Sequence, residues 1–71
     1  MSDPIYYVHC GGTYEYKLAG ITQNLPAARL LKSRQSIGWR AVWITRAFVT
    51  SEGIYKEDTE WRDGDVVDLQ R

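Results

Sequence analysis

The first apolar run of the chain predicts a strand followed by a tight hairpin. Residues 5–10 are β-branched or aromatic with few exceptions, a composition typical of a strand. Gly11 and Gly12 follow, and two glycines suit a two-residue turn that needs positive φ. Residues 13–18 alternate in polarity and predict the returning strand. Its larger side chains share one face: Tyr14, Tyr16 and Leu18.

The next segment has the spacing of a helix. Asn24 is a favoured N-cap residue, and Pro26 is tolerated in the first helical turn. We therefore predict a helix over residues 24–36 that ends before Gly38. Its apolar side chains form one stripe: Leu25, Ala27, Ala28, Leu30 and Leu31. One helix with one apolar stripe needs one sheet to cover it.

Residues 39–50 give the strongest strand pattern. Val42, Ile44 and Phe48 share one parity, and Trp39, Trp43 and Thr45 share the other. Successive strand residues face opposite sides of a sheet. We expect Val42 and Ile44 to meet the helix. Trp43 then lies on the second face, with Tyr7 and His9 as its neighbours from the first strand.

The remainder predicts turns and two short strands. Residues 51–53 form a turn, and residues 54–61 contain a short strand within an irregular crossover. Asp63-Gly64 is a turn signal before a final strand at residues 65–69. The order β-β-α-β-β-β predicts one α+β domain over residues 1–71, a ubiquitin-like β-grasp. Its mixed sheet of four or five strands packs on one helix, with the third strand beside the first. The expected core comprises Leu30, Leu31, Val42, Ile44, Val67 and Leu69.

Three segments, taken in order, resemble the β-grasp sulfur carriers of thiamine and molybdopterin synthesis. They are residues 41–44 (AVWI), 49–55 (VTSEGIY) and 59–69 (TEWRDGDVVDL). The resemblance implies that fold and a habit of binding partners through the sheet face and tail. The carriers end in Gly-Gly, whose carboxylate is activated, whereas this sequence ends Leu69-Gln70-Arg71. We therefore expect no sulfur-carrying activity from the chain as written.

Size and composition argue against catalysis and against a metal site. The chain has 71 residues, and a domain of this size buries only about 60% of its unfolded surface, with no spare bulk for an enclosed active site. Cys10 and His9 are single representatives of their types, so neither a disulfide nor a Cys/His metal cluster is expected. We predict no enzyme activity and no cofactor. Cys10 is expected to be a buried, small apolar residue.

Charge is balanced overall but unevenly distributed. Residues 16–51 contain six bases and no acid, whereas residues 52–71 contain seven acids and three bases. The favoured interpretation is that these halves neutralise each other in the folded domain. The alternative is a basic surface for nucleic acid or an acidic partner, formed by Arg29, Lys32 and Arg34 with Arg40 and Arg46.

The favoured function is a non-enzymatic protein-interaction module in the cytoplasm. The expected partner-binding residues are Trp43, Tyr7, Trp39, Arg40 and Arg46. No apolar run approaches the ~20 residues of a membrane span, so no membrane partner is expected.

Two alternative functions stay open. One is a phage or mobile-element inhibitor of the anti-CRISPR kind that blocks a host protein or nucleic-acid channel. The other is a sulfur carrier whose last residues are missing from the sequence.

Overall fold

Within residues 4–64, four strands form one antiparallel sheet, and one helix covers one face of it. The computed structural model describes residues 4–64. The elements are β1 (Ile5–Gly11), β2 (Tyr16–Thr22), α1 (Leu25–Gln35), β3 (Ala41–Val49) and β4 (Tyr55–Glu57). In the sheet they lie in the order β2-β1-β3-β4, and α1 contacts β1, β2 and β3. The α+β class with a single helix is therefore confirmed for the described residues.

The direction of the strands differs from the prediction. β1 is antiparallel to both β2 and β3, and β3 is antiparallel to β4. Because β2 and β3 are both antiparallel to β1, they run in the same direction, with β1 between them in the sheet. The predicted mixed sheet is therefore wrong for these strands, whereas the adjacency of the first and third strands is confirmed. The predicted last strand, residues 65–69 with Val67 and Leu69, lies outside the described residues.

The helix forms where its caps and spacing predict. The Asn24 side chain accepts a hydrogen bond from the Ala27 amide at 3.1 Å, and Ser36 is the C-cap. Ala28 is buried, and Leu25 and Leu31, three residues to either side, pack on the core. Leu30 was expected in the core, but 55% of it is exposed. Two residues correspond to about 200° of helical rotation, which turns Leu30 away from the face that Ala28 presents to the sheet.

The core lies between α1 and the even-numbered residues of β1 and β3. Val8, Cys10 and Ile44 are fully buried, and Tyr6 and Val42 join them. Val42 and Ile44 thus face the helix as predicted. Cys10 is buried as predicted, and its burial raises the pKa of the thiol. A neutral, enclosed thiol at this position contributes packing rather than nucleophilic chemistry.

The first hairpin turns later than the glycines suggest. Gly11 belongs to β1, and the Gly12 amide donates to the Glu15 carbonyl at 2.9 Å, so Thr13 and Tyr14 form the tip. Neither Gly11 nor Gly12 has a positive φ. The predicted turn at Gly11-Gly12 and the predicted start of the second strand at residue 13 are therefore wrong. Tyr14 lies in the loop, almost fully exposed, instead of on a strand face.

A bulge in β2 changes which side chains share a face. Val8 pairs with Gly20, but the next residue, His9, pairs with Leu18, which leaves Ala19 as the extra residue of β2. Leu18 and Ile21 consequently face the same side despite their opposite parity. Gly20 faces the helix, where a Cβ would lie 2.7 Å from Leu31 Cδ2. The missing side chain of Gly20 therefore lets α1 approach the sheet.

The segment after β4 continues beside β3 and is joined to the rest of the domain by backbone hydrogen bonds and ion pairs. Asp63 pairs with Ile44 through two backbone hydrogen bonds of 2.6 and 3.0 Å. Its carboxylate accepts from Arg29 at 2.7 Å and Lys32 at 3.0 Å. Asp58 forms the third ion pair seen in residues 4–64, with Arg46 at 2.7 Å. Each pair joins the basic segment to the acidic one, as the favoured interpretation of the charge pattern requires.

Candidate binding site on the open face of the sheet

Four large aromatic side chains of residues 4–64 lie on the sheet face opposite α1: Tyr7, Tyr16, Trp43 and Tyr55. Odd-numbered residues of β1 and β3 face this side, although Ile5, Gly11 and Ala41 are buried. The Ala19 bulge places Tyr16, Leu18 and Ile21 of β2 on the same side. β4 adds Tyr55 opposite Val49 and Glu57 opposite Ala47. We call this surface the open face: Tyr7, His9, Tyr16, Leu18, Ile21, Trp43, Thr45, Ala47, Tyr55 and Glu57. No described element covers it.

His9 occupies the centre of the open face. Its Nδ1 lies 2.6 Å from the Tyr16 hydroxyl, and its Nε2 lies 2.6 Å from Thr45 Oγ1. A neutral imidazole has one donor and one acceptor, and a hydroxyl can supply either complement. Both ring nitrogens are therefore satisfied in either tautomer. The two hydrogen bonds fix the plane of the ring between β2 and β3.

Three aromatic rings surround that imidazole. The Trp43 ring stacks on it with a centroid distance of 5.3 Å and an interplanar angle of 13°. Tyr7 stacks at 6.3 Å and Tyr16 is tilted at 5.8 Å. We call these residues the aromatic cluster: Tyr7, His9, Tyr16 and Trp43. Because His9 is held by hydrogen bonds, the rings packed on it are pre-oriented, and this lowers the entropy lost when a partner binds.

The surroundings favour an uncharged His9. Burial lowers the pKa of the imidazole from its ordinary value of 6.5, and the Arg62 guanidinium lowers it further, whereas the Glu57 carboxylate raises it. His9 is therefore neutral at pH 7. Its charge state changes only in acid, where protonation would place a cation inside the aromatic cluster.

The contact between Thr45 and His9 has the spacing of a nucleophile and its base. The second nitrogen of His9 faces the Tyr16 phenol instead of a carboxylate that would stabilise an imidazolium. Burial also disfavours the protonated ring that such a reaction requires. The arrangement therefore favours support of the ring cluster over proton abstraction. In residues 4–64, no group of three or more His, Cys, Asp or Glu side chains is placed to hold a metal ion.

A shallow depression adjoins the aromatic cluster toward β4. It encloses about 330 Å³ and is lined by Tyr7, His9, Thr45, Ala47, Tyr55 and Glu57. Ala47 pairs with Glu57 across β3 and β4 and contributes only a methyl group to this lining. The Glu57 carboxylate forms no ion pair or hydrogen bond with any other residue of the described part.

The predicted partner-binding residues do not all meet. Trp43 and Tyr7 lie together on the open face, as the strand parity predicts. Trp39 precedes β3, so the strand alternation does not reach it, and it packs against the core instead. Arg40 donates to Thr13 Oγ1 at 3.1 Å. Trp39 and Arg40 line a separate depression at the hairpin loop.

Arg46 lies on the opposite side of β3 from Trp43. Its guanidinium carbon is 5.2 Å from the Phe48 ring centroid and 4.9 Å from that of Trp61. Its Nε and Nη2 donate to Asp58 Oδ2 at 2.9 and 2.7 Å. The Arg46 side chain is thus held within the chain, away from the open face.

The basic residues predicted to contact phosphate lie on α1. Arg29 and Lys32 are paired with Asp63, and Arg34 is exposed in the last turn. The aromatic cluster occupies the other side of the sheet. Single-stranded nucleic-acid sites place stacking rings and cations along one groove. The structure does not bring these two groups of residues together.

The sequence did not indicate six residues of the open face as part of a site: Tyr16, Leu18, Ile21, Ala47, Tyr55 and Glu57. His9 was expected beside Trp43, but without its two hydrogen bonds, and Thr45 was expected on the same side without a role. The parity of Thr45 with Trp43 was a usable signal. The position of Ile21 gave no such signal, because it depends on the Ala19 bulge.

Comparison with known proteins found no matching family model, no similar curated protein and no similar solved structure. The geometry of the open face therefore carries the functional argument. Within residues 4–64, no helix has the length and apolar character needed to cross a membrane.

Proposed function

We propose that the protein is a non-enzymatic binding module that docks another protein on the open face, with Trp43 as the anchor. The observation that carries the proposal is the aromatic cluster itself. Three large rings are held in fixed orientations around a hydrogen-bonded His9 on a face that no described element covers. Pre-oriented Trp and Tyr side chains dominate the energetics of protein interfaces.

Apolar exposure on this face supports the proposal. Tyr16, Leu18, Ile21 and Tyr55 are exposed by 59%, 41%, 57% and 54%. Apolar surface in water costs about 25 cal/mol per Å², and contiguous patches are usually retained because they bind something. Phe48 is also exposed, but it lies on the other face, where the Arg46 guanidinium packs over its ring.

Charge favours a protein over a nucleic acid as the partner. Arg29, Lys32 and Arg46 are engaged in ion pairs on the helix side of the sheet. On the open face, Glu57 adds negative charge beside the rings. Arg62 also acts on His9 there, so Glu57 offsets a positive charge beside the rings. Binding a phosphate backbone requires several unpaired cations, which the described residues of this face do not supply. A protein surface with apolar and basic side chains fits better.

Site-specific photocrosslinking in cells of the source organism tests the proposal. A benzoylphenylalanine placed at Ile21 reports on the open face, and one at Leu30 reports on α1. We expect a discrete protein adduct from Ile21 that is reduced by Trp43→Ala, and none of that mass from Leu30. Adducts from Leu30 alone, or a nuclease-sensitive adduct from Ile21, would contradict docking of a protein on the open face.

The identity of the crosslinked partner also separates the hypotheses that the sequence leaves open. A host defence or nucleic-acid-processing protein supports the mobile-element inhibitor, and an activating or sulfur-transfer enzyme supports the resemblance to the sulfur carriers. The ubiquitin-like fold and the cytoplasmic location stay predictions. Fractionation during the same experiment tests the location.

A further inference from the structure

We propose that the depression between Tyr7 and Tyr55 binds an arginine side chain of the partner protein. The inference rests on the proposed function and specifies part of its chemistry. Trp43 would supply the apolar anchor, and the depression would supply a second, charge-dependent contact. The two lie side by side on the open face, joined through His9, which stacks on Trp43 and lines the depression.

The lining of the depression has the features of a site for a cation. Tyr7 and Tyr55 supply aromatic surface, and Glu57 supplies a carboxylate with no ion-pair partner in residues 4–64. A cation is attracted to an aromatic face and to a carboxylate, and the two attractions act together when both groups border one depression. The neighbouring imidazole is neutral at pH 7 because burial lowers its pKa, so it does not repel a bound cation.

A second set of two aromatic rings and a carboxylate in the same chain binds an arginine side chain, that of Arg46. On the helix side of β3, the Arg46 guanidinium lies 5.2 Å from the Phe48 ring centroid and 4.9 Å from the Trp61 ring centroid. It donates to Asp58 at 2.7 and 2.9 Å. Two rings and a carboxylate, from β3 and the segment after β4, thus hold one guanidinium. Across the same sheet, Tyr7, Tyr55 and Glu57 provide two rings and a carboxylate with which no cation of residues 4–64 forms an ion pair.

Arginine fits this depression better than lysine. A guanidinium is planar, is more weakly hydrated than an ammonium, and can stack on a ring while donating two parallel hydrogen bonds to a carboxylate. The depression is open and shallow, so a strongly hydrated ammonium would gain less by entering it. Arg62 acts electrostatically on His9 but forms no ion pair with Glu57, so it leaves this carboxylate available.

The test uses the intact chain and small probes, without the partner. N-acetyl-arginine amide is titrated into labelled protein and followed by NMR. The citrulline analogue, in which an uncharged urea replaces the guanidinium, is the matched control. We expect saturable shifts for Tyr7, Ala47, Tyr55 and Glu57 with the arginine probe. Affinity should be about threefold or more weaker for citrulline and for the lysine probe.

Two variants assign the effect to the carboxylate. Glu57→Gln should weaken arginine binding to the level of citrulline and leave citrulline binding unchanged. Glu52→Gln, at an exposed acid in the turn before β4, should change neither. Glu57 is exposed on β4, so its replacement leaves the core intact, and the dispersion of the amide spectrum verifies the fold.

Equal affinity for arginine and citrulline, shifts confined to residues outside the depression, or unchanged binding in Glu57→Gln would each overturn the inference. Because no partner protein is present, those results leave docking through Trp43 intact. A partner that crosslinks only from the helix side would overturn both proposals.

Discussion

His9 illustrates how one residue can organise a surface. Its side chain links β2 and β3 through the hydroxyls of Tyr16 and Thr45, and three rings pack around it. Replacing it would leave two hydroxyls without their shared partner and would remove the central ring of the aromatic cluster. The sequence predicted His9 as a neighbour of Trp43, but the hydrogen bonds to Tyr16 and Thr45 follow from the fold.

The lowered pKa of His9 predicts a pH dependence of stability. Above its ordinary value of 6.5, the imidazole is neutral in both the folded and unfolded chain. As pH falls below that value, the unfolded chain takes up the proton first, so the free energy of unfolding decreases until the folded pKa is passed. Urea unfolding between about pH 7.5 and pH 5 should show this decrease. His9→Gln should lack it, and a variant with an undiminished slope would contradict the assignment.

Gly64 is a second residue whose identity is dictated by its position. Its φ is +114°, and a Cβ would lie 2.6 Å from the Val42 carbonyl oxygen and 2.8 Å from Trp43 Cα. Gly64→Ala should therefore lower the free energy of unfolding by ~1–3 kcal/mol, the usual cost of such strain. Gly38→Ala is the control, since nothing lies within 4 Å of that Cβ and the φ of Gly38 is not positive. Equal urea midpoints for the two variants would contradict this account.

At the scale of elements, local signals predicted α1 and β3 well and the first hairpin poorly. The cap at Asn24 and the alternation around Ile44 depend on neighbouring residues and survive in the structure. The hairpin was predicted to turn at Gly11-Gly12 but turns at Thr13-Tyr14, and the Ala19 bulge changes the pairing only beyond Leu18. The inward position of Trp39 is decided by its packing against the core, which joins residues distant in the sequence. Such contacts leave little trace in a local pattern.

The packing of α1 on the sheet gives a paired prediction. Ile44 is fully buried under the helix, whereas Leu30 is 55% exposed on α1. Ile44→Ala should lower the free energy of unfolding by ~2–5 kcal/mol because it leaves a cavity. Leu30→Ala should change it by about 0.5 kcal/mol or less, as is usual for surface positions. A larger loss of unfolding free energy for Leu30→Ala than for Ile44→Ala would contradict the assignment of Ile44 to the core and of Leu30 to the exposed side of α1.

At the scale of the whole molecule, charge is compensated on one side of the sheet and apolar surface is exposed on the other. Asp58 and Asp63 tie the segment after β4 to Arg46, Arg29 and Lys32. These pairs explain how the two oppositely charged halves of the sequence coexist in a small fold. They also occupy several cations that would otherwise be available to nucleic acid.

These ion pairs predict a second loss of stability in stronger acid. The Arg46 hydrogen bonds lower the pKa of Asp58, and those of Arg29 and Lys32 lower the pKa of Asp63, from an ordinary value of 3.8. Carboxylates with depressed pKa values stabilise the fold above that value, and the contribution is lost as pH falls through the folded pKa. The double variant Asp58→Asn, Asp63→Asn should flatten the pH dependence of unfolding below about pH 4. An unaltered acid transition would contradict a stabilising role for the pairs.

The most direct test of the central claim is the affinity of the crosslinked partner for Trp43→Ala. The Trp43 ring is half-buried against His9, so the variant should still fold, which thermal unfolding verifies. Loss of the anchor should weaken binding by more than ~1 kcal/mol, about fivefold or more in Kd. Leu30→Ala, on the helix side, should bind like the unmodified protein. Unchanged affinity for a folded Trp43→Ala variant, with weakened binding for Leu30→Ala, would show that the open face is not the docking surface.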